Sequence, residues 1–367
     1  MSNQQRRKTV LIEYIILIIL VIAAVTVIVL VQRSGKKDAA PAAAEIIRTE
    51  TESPAESASG TQGQSALAAS SVSASETVPT PEAVVSAAAE EHPLGPVTRA
   101  PEPHLPEVGI ELDETALQSD FVYFVRKADM KVLFDRRANE VMYPASMTKI
   151  MTAILVLENL HDMDMKVDVW QEDAEMYYTD DASVAGFSPG ESVCVRDLLY
   201  GVMLPSGADA SKALARAVAG SEENFVVMMN DKAKKLGMTH THFMNCTGLH
   251  HQDHYSTCYD MMLMLNYALN SDVFRTVSAT PEWLCEPTDL HPESLYFAST
   301  LSGIEGMWLD NGAQIIGGKT GTEDEAGRCL ASYGSYNDQE FLLITAHAPS
   351  EETGNLWDAM TLYGSLR

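Results

Sequence analysis

The sequence predicts a mixed α/β (α+β) domain carried behind a single N-terminal transmembrane helix. Three observations lead to that class. Val10–Val31 is an apolar run of 22 residues in which Glu13, near its edge, is the only charge. Residues 32–107 hold no aromatic side chain and are rich in Ala, Ser, Glu and Pro. Beyond Val108, strand-like runs stand at both ends of a long helical middle, so the sheet must join distant parts of the chain.

The apolar run has the ~20 residues that cross hydrocarbon as a helix, longer than the apolar core of a cleaved secretory signal, which makes 10–31 a signal anchor and 1–9 a short tail. The Ala-rich stretch after Asp38 leaves cleavage open as an alternative. Orientation does not follow from charge, because Arg6, Arg7 and Lys8 on one side balance Arg33, Lys36 and Lys37 on the other. Residues 32–107 lack the large apolar groups whose burial would offset the entropy of ordering them, so they form a disordered tether with an average reach of roughly 40–50 Å.

Within 108–367 the first element is a hairpin, Asp120–Val125 and Lys131–Phe134. A helix begins near Ser146 and runs to Leu160, with Ile150, Ile154 and Leu157 on its apolar face. Helical runs follow at Leu198–Met203, broken by Pro205, and at Ala208–Val218. Ser221 is an N-cap for a helix ending near Gly237, and another apolar helical run covers Tyr259–Leu269. The period then changes: Ala313–Gly318, Cys329–Tyr333 and Phe341–His347 are strands, the last two joined by a turn at Asn337-Asp338. Asn355–Leu366 closes the chain as an amphipathic helix.

The net charge of −26, from 51 acidic and 25 basic residues, repels phosphate backbones, and no nucleic-acid-binding module is present, which excludes nucleic acid as a partner. Five cysteines (194, 246, 258, 285 and 329) are too few and scattered for a disulfide scaffold; a pairing of Cys246 with Cys258 stays open. His240, His242, His250, His251 and His254 lie close in sequence but without a His-Glu-x-x-His helix or a carboxylate that completes a site. They are expected in a loop beside the active site, and no metal or cofactor is predicted.

Ser146-Met147-Thr148-Lys149 falls at a predicted helix start, and a spacing of three puts both functional groups on one face. A serine hydroxyl needs a neighbouring base, and a lysine deprived of water can serve as one. By itself the pattern is weak: a helix cap beside a surface lysine fits equally, and Ser34-Gly35-Lys36-Lys37 in the tether matches it by accident. Lys319-Thr320-Gly321 follows the strand candidate Ile315–Gly318 and suits an extended peptide ligand, although a polar turn would also explain it. Ser206-Gly207-Ala208, after Pro205, fits a proton relay and fits an interhelical cap.

Order and context make these segments specific. Tyr143-Pro144-Ala145-Ser146-Met147-Thr148-Lys149, Leu204-Pro205-Ser206-Gly207-Ala208-Asp209-Ala210, Gly248-Leu249-His250 with His254-Tyr255-Ser256-Thr257, and Gly318-Lys319-Thr320-Gly321 before Glu325-Ala326-Gly327 stand in this order in a resemblance that covers nearly all of about 115–350. Together they resemble the D-alanyl-D-alanine carboxypeptidases of the low-molecular-weight penicillin-binding proteins, serine peptidase family S11. The resemblance implies a serine β-lactamase/transpeptidase-like fold: a five-stranded antiparallel sheet flanked by helices, with an all-helical subdomain.

It also implies the chemistry. Ser146 is the nucleophile on peptidoglycan stem peptides ending in D-Ala-D-Ala, Lys149 the general base, and Ser206 and Lys319 move protons and stabilise charge. Thr320 contacts the terminal carboxylate beside Gly321, and the backbone N–H groups of Ser146 and Thr322 form the oxyanion hole. β-Lactams trap Ser146 as an acyl adduct. Such a substrate lies outside the bacterial cytoplasmic membrane, which puts 108–367 on the extracytoplasmic side of a single-pass anchor.

Two positions depart from the family. Ala208 stands where Asn is usual, and Pro349–Gly364 lacks the arginine that some relatives use for the carboxylate, with Arg328 as a possible replacement. The sequence runs 46 residues past Gly321, too short for the β-rich domain and terminal amphipathic anchor of many relatives, which gives anchoring to the N-terminal helix. The competing readings are a transpeptidase or β-lactamase, and a non-catalytic penicillin-sensing or peptidoglycan-binding module, for which Ala208 is the main support.

Overall fold

The structure is a computed structural model that describes residues 107–174, 182–301, 303–349 and 353–367. The predicted tail 1–9, the span 10–31 and the tether, except Glu107, lie outside these residues. Among the described residues no helix is long and apolar enough to cross a membrane.

The hairpin β1 (Phe121–Arg126) and β2 (Lys131–Arg136) comes first. A short 3-10 turn at Ala145–Thr148 leads into α1 (Lys149–Asn159). Then follow β3 (Lys166–Asp168), β4 (Ser192–Cys194), α2 (Val195–Met203), α3 (Ala208–Ala219), α4 (Glu222–Leu236), α5 (Cys258–Ala268) and α6 (Asp272–Ser278). The chain continues through β5 (Glu282–Leu284), β6 (Tyr296–Ala298), β7 (Gln314–Glu323), β8 (Gly327–Tyr336), β9 (Gln339–Ala348) and α7 (Gly354–Gly364).

The main sheet has the order β2-β1-β9-β8-β7, antiparallel throughout, so β1 pairs with β9 and joins the two ends of the domain. Alternating side chains serve two cores. Val122, Phe124, Leu330 and Leu343 pack beneath Leu356, Ala359 and Leu362 of α7. Tyr123, Val125, Ala331, Leu342 and Ile344 face the larger core that α1–α5 fill. Helix α1 sits among α2, α3, α4, α5 and α6, and every residue from Lys149 to Val156 is buried. The expected helical part also holds two small antiparallel ribbons, β3–β4 and β5–β6, and is therefore not all-helical.

Local chemistry explains the boundaries. Ser221 Oγ accepts from Asn224 N–H, and Gly237 takes the left-handed conformation that ends α4. Asn337 and Asp338 both have positive φ, as a two-residue hairpin between β8 and β9 demands. Two expectations need correction. The α-helix starts at Lys149 rather than Ser146, which lies in the 3-10 turn after Ala145, a non-glycine residue at φ 46°. Strand β7 does not stop at Gly318: pairing with β8 continues to Glu323, and Lys319-Thr320-Gly321 lies inside the strand. All five cysteines are buried and free.

The turn that carries Ser146 is held from outside. Gly248 (φ +87°) brings its backbone so close that a Cβ there would stand 2.0 Å from the Ala145 carbonyl oxygen. His254 is buried, accepts at Nδ1 from Met244 N–H (3.2 Å), and therefore donates from Nε2 to Thr148 Oγ1 (2.9 Å). Burial holds the imidazole neutral and lowers its pKa to about 3.

Two outcomes follow. Gly248→Ala should lose more than about 2 kcal/mol in denaturant unfolding, because strain and a backbone clash coincide; an unchanged midpoint would show that the loop simply yields. For His254, the unfolded chain takes up a proton below pH 6.5 and the folded one only near 3, so stability falls as pH drops through that window. The slope is at most about 1.4 kcal/mol per pH unit. His254→Gln should be less stable at pH 7 yet show a shallower acid dependence, and equal slopes would refute the assignment.

Candidate active site

Ser146 sits at the mouth of α1, one turn from Lys149. The lysine Nζ donates to Ser146 Oγ at 3.0 Å and to the Thr247 carbonyl at 2.6 Å. Its side chain enters a site from which water is excluded, and it is 2% exposed. Desolvation lowers the ammonium pKa to about 8. The acceptor Thr247 belongs to a loop that Asn245 organises: its Oδ1 accepts from the N–H groups of Thr247 (3.1 Å) and Gly248 (2.7 Å). Asn245 Nδ2 closes the loop on the Leu249 carbonyl (3.0 Å), and Thr152 Oγ1 ties the loop to α1 through the Cys246 carbonyl (2.7 Å).

A second lysine lies on β7. Lys319 Nζ donates to Ser206 Oγ at 3.0 Å and to the Thr320 carbonyl at 2.8 Å. Burial and the nearby charge of Lys149 push its pKa well below the usual lysine range. Ser206 holds a left-handed φ of 64° between α2 and α3, a strained conformation for a residue with a side chain. Gly321 passes so close to the Ser146 turn that a Cβ would meet Pro144 O and Ser146 N at 3.0 Å. Only glycine lets β7 lie against the nucleophile.

An open cleft runs to either side of Ser146. One half, of about 260 Å³, is lined by Ser146, Ser183, Ser206, Thr300, Thr320, Gly321, Thr322 and Arg328, with Thr353, Asn355 and Leu356 from the start of α7. The other, of about 280 Å³, is lined by Ser146, Lys149, Ala182, Ser183, Thr247, Leu249, Thr322 and Glu323. Among the described residues β7 pairs with one strand, β8, and Trp308 bridges its outer edge at Gln314, so the edge beyond that bridge can accept an extended peptide by strand addition. Ser146, Lys149, Ser206, Lys319, Thr320, Gly321 and Thr322 are thus brought together.

Ala208 is not brought with them. It is fully buried at the start of α3, lines neither half of the cleft, and its N–H donates to the Ser183 carbonyl at 2.8 Å. Its neighbour Asp209 accepts from the N–H groups of Ala185 (2.8 Å), Gly186 (2.9 Å) and Phe187 (3.0 Å), fixing the segment that carries Ser183 into the cleft. Sequence reasoning missed Ser183, Thr247, Thr300, Glu323 and Asn355, which come from separate segments whose approach leaves no spacing to detect. The histidines are spent singly: His242 Nδ1 on the Asp253 carbonyl (2.7 Å), His251 Nδ1 on Asp253 N–H (3.0 Å), and the His250 ring edge-on to Tyr143.

Comparison with known proteins agrees with this geometry. The model of the peptidase S11 family, described as D-alanyl-D-alanine carboxypeptidase, matches residues 111–350. The D-alanyl-D-alanine carboxypeptidase DacF of Bacillus subtilis is 32% identical over 267 residues, 71% of this chain and 65% of the relative. DacC of Escherichia coli is 34% identical over 233 residues, 61% of this chain and 55% of the relative, so the chain spans less than two thirds of either. The crystal structure of the Streptomyces K15 DD-transpeptidase superposes with a TM-score of 0.62 at 28% identity, covering 68% of this chain and 97% of that one. With the match over 111–350 and the Ser–Lys arrangement it encloses, the chain belongs to the D-alanyl-D-alanine carboxypeptidase family, peptidase S11.

Proposed function

We propose that the protein is a serine-type D-alanyl-D-alanine carboxypeptidase that removes the terminal D-alanine of peptidoglycan stem peptides and is acylated by β-lactams. The observation that carries this reading is the 3.0 Å hydrogen bond between Ser146 Oγ and a buried amine whose pKa is lowered to about 8. At that value a useful fraction of Lys149 is neutral near physiological pH and can take the hydroxyl proton.

Ser146 Oγ then attacks the carbonyl carbon of the penultimate D-alanine as its proton passes to Lys149. The oxyanion is received by the backbone N–H groups of Ser146 and Thr322. Collapse breaks the C–N bond, and the leaving D-alanine nitrogen takes a proton from Lys149 through Ser206, whose hydroxyl oxygen accepts a hydrogen bond from Lys319 Nζ. Water attacks the acyl carbon as its proton passes to Lys149, and when the C–O bond to Ser146 breaks, Lys149 hands that proton to Oγ and both groups are restored. No cofactor enters. Thr320 and the edge of β7 align the peptide, and Ser183 supplies a hydroxyl on the wall of both halves of the cleft.

The rest of the assignment is organisational. In this reading residues 10–31 anchor the protein in the cytoplasmic membrane with 1–9 inside, 32–107 link the anchor to the domain, and 108–367 works on the extracytoplasmic side, where its substrate lies. A second reading is favoured by the likeness to the Streptomyces DD-transpeptidase: an amine in place of water would resolve the acyl-enzyme and leave a cross-linked product.

Intact mass spectrometry after benzylpenicillin treatment should show one adduct, absent from Ser146→Ala, whose release of D-alanine from a D-Ala-D-Ala peptide should fall by roughly 10³-fold or more. Acylation without D-alanine release would favour a sensor, and a cross-linked product with an added amine the transpeptidase. The acylation rate should climb about tenfold per pH unit and level off above pH ~8, since only the neutral amine accepts the proton. A rate already flat at pH 6 would remove Lys149 as the base.

A further inference from the structure

The half of the cleft beside Lys149 has no cation to spare. Lys149 turns its amine to Ser146 and Thr247, and the other ionisable residue on this lining is Glu323. Glu323 ends β7, whose pairing with β8 is regular from Gly318 onward. Side chains alternate along a strand, so Glu323 shares a face with Lys319 and Gly321, the face that lies against the Ser146 turn.

The carboxylate of Glu323 is unanswered. Among the described residues no N–H or O–H donates to it, whereas Glu325 has His250 Nδ1 at 3.7 Å. The side chain is half-buried. Burial, with Glu325 and Asp324 close by, raises its pKa against the pull of Lys149. A carboxylate that has lost water without gaining a donor is stabilised by a cation delivered into the cleft.

The reaction brings a side chain to this place. A peptide laid antiparallel along the outer edge of β7 sends its last D-alanine toward Thr320 and its N-terminal part toward Glu323. With the scissile carbonyl held at Ser146 and Thr322, the residue before D-Ala-D-Ala lies one strand step, ~3.3 Å, further along, beside Glu323. We propose that Glu323 reads the side chain of that residue and selects stem peptides in which it ends in an ammonium group. Leu249, on the same lining, offers apolar surface to the aliphatic stem of such a side chain. The assignment rests on the carboxypeptidase reading and names the substrate more closely.

The test compares Nα-acetyl-L-Lys-D-Ala-D-Ala with its L-norleucine counterpart, which keeps the carbon chain and lacks the amine, using the full chain. The wild type should prefer the lysine peptide in kcat/KM by about tenfold at low ionic strength, and added salt should shrink the preference. Glu323→Gln should bring the ratio close to one, and Glu323→Lys should invert it, because a like charge then meets the ammonium. A residue that only supports the end of β7 would slow both peptides alike and leave the ratio intact, which overturns the proposal. Equal release from both peptides by the wild type overturns it too and leaves the carboxypeptidase reading standing. Release from neither would sink that reading and this assignment with it.

Discussion

Lys149 carries its amine out of water, and the surrounding architecture answers the cost of that transfer. A charged ammonium loses more on burial than one hydrogen bond returns, so the balance moves toward the neutral amine, the form that accepts a proton. The Thr247 carbonyl and the Ser146 hydroxyl fix where that amine points. Those two acceptors come from a loop and a 3-10 turn, neither of which is stable in isolation. Asn245, Gly248, Thr152 and His254 exist in this arrangement to hold them.

Strain is concentrated where the cleft is narrowest. Ala145 and Ser206 both adopt left-handed φ values that glycine would take without cost, and each sits next to a functional group. Neither conformation is favoured locally, so tertiary contacts impose both: Gly248 and Gly321 crowd the first, while Lys319 and the fold of α2 against α3 hold the second. Asp209 acts at longer range. By gathering three N–H groups it turns an irregular segment into a fixed wall. The result is a rigid groove built mainly from loops that short, strong interactions pin to regular elements.

How much of this the sequence revealed depended on the length scale of each signal. The α4 caps Ser221 and Gly237, the Asn337-Asp338 hairpin and the long apolar helices were legible because each is set by neighbours in the chain. The ribbons β3–β4 and β5–β6, three residues per strand, are too short to show a period, and α6 at seven residues offered little more. The end of β7 was misjudged because Lys319-Thr320-Gly321 breaks hydrophobic alternation, whereas the backbone pairing that defines the strand is indifferent to side chains. In the site, Ser146 and Lys149 are one turn apart and hence readable. Ser183, Thr247 and Thr300 converge from separate segments, and only the folded chain reports it. Ala208 is legible in the motif as a departure from the usual Asn, and the fold places it fully buried at the start of α3.

The order of strands has a consequence for how the molecule comes into being. Strand β1 finds its central neighbour in β9, more than two hundred residues later, so the hairpin made first must wait for the last strand before its inner face is covered. Sheets closed by such remote pairings assemble late and slowly. Until β9 is in place, β1 lacks the neighbour that sets it inside the sheet. The cleft beside Ser146 hangs on the same closure, since β7 joins β1 only by way of β8 and β9.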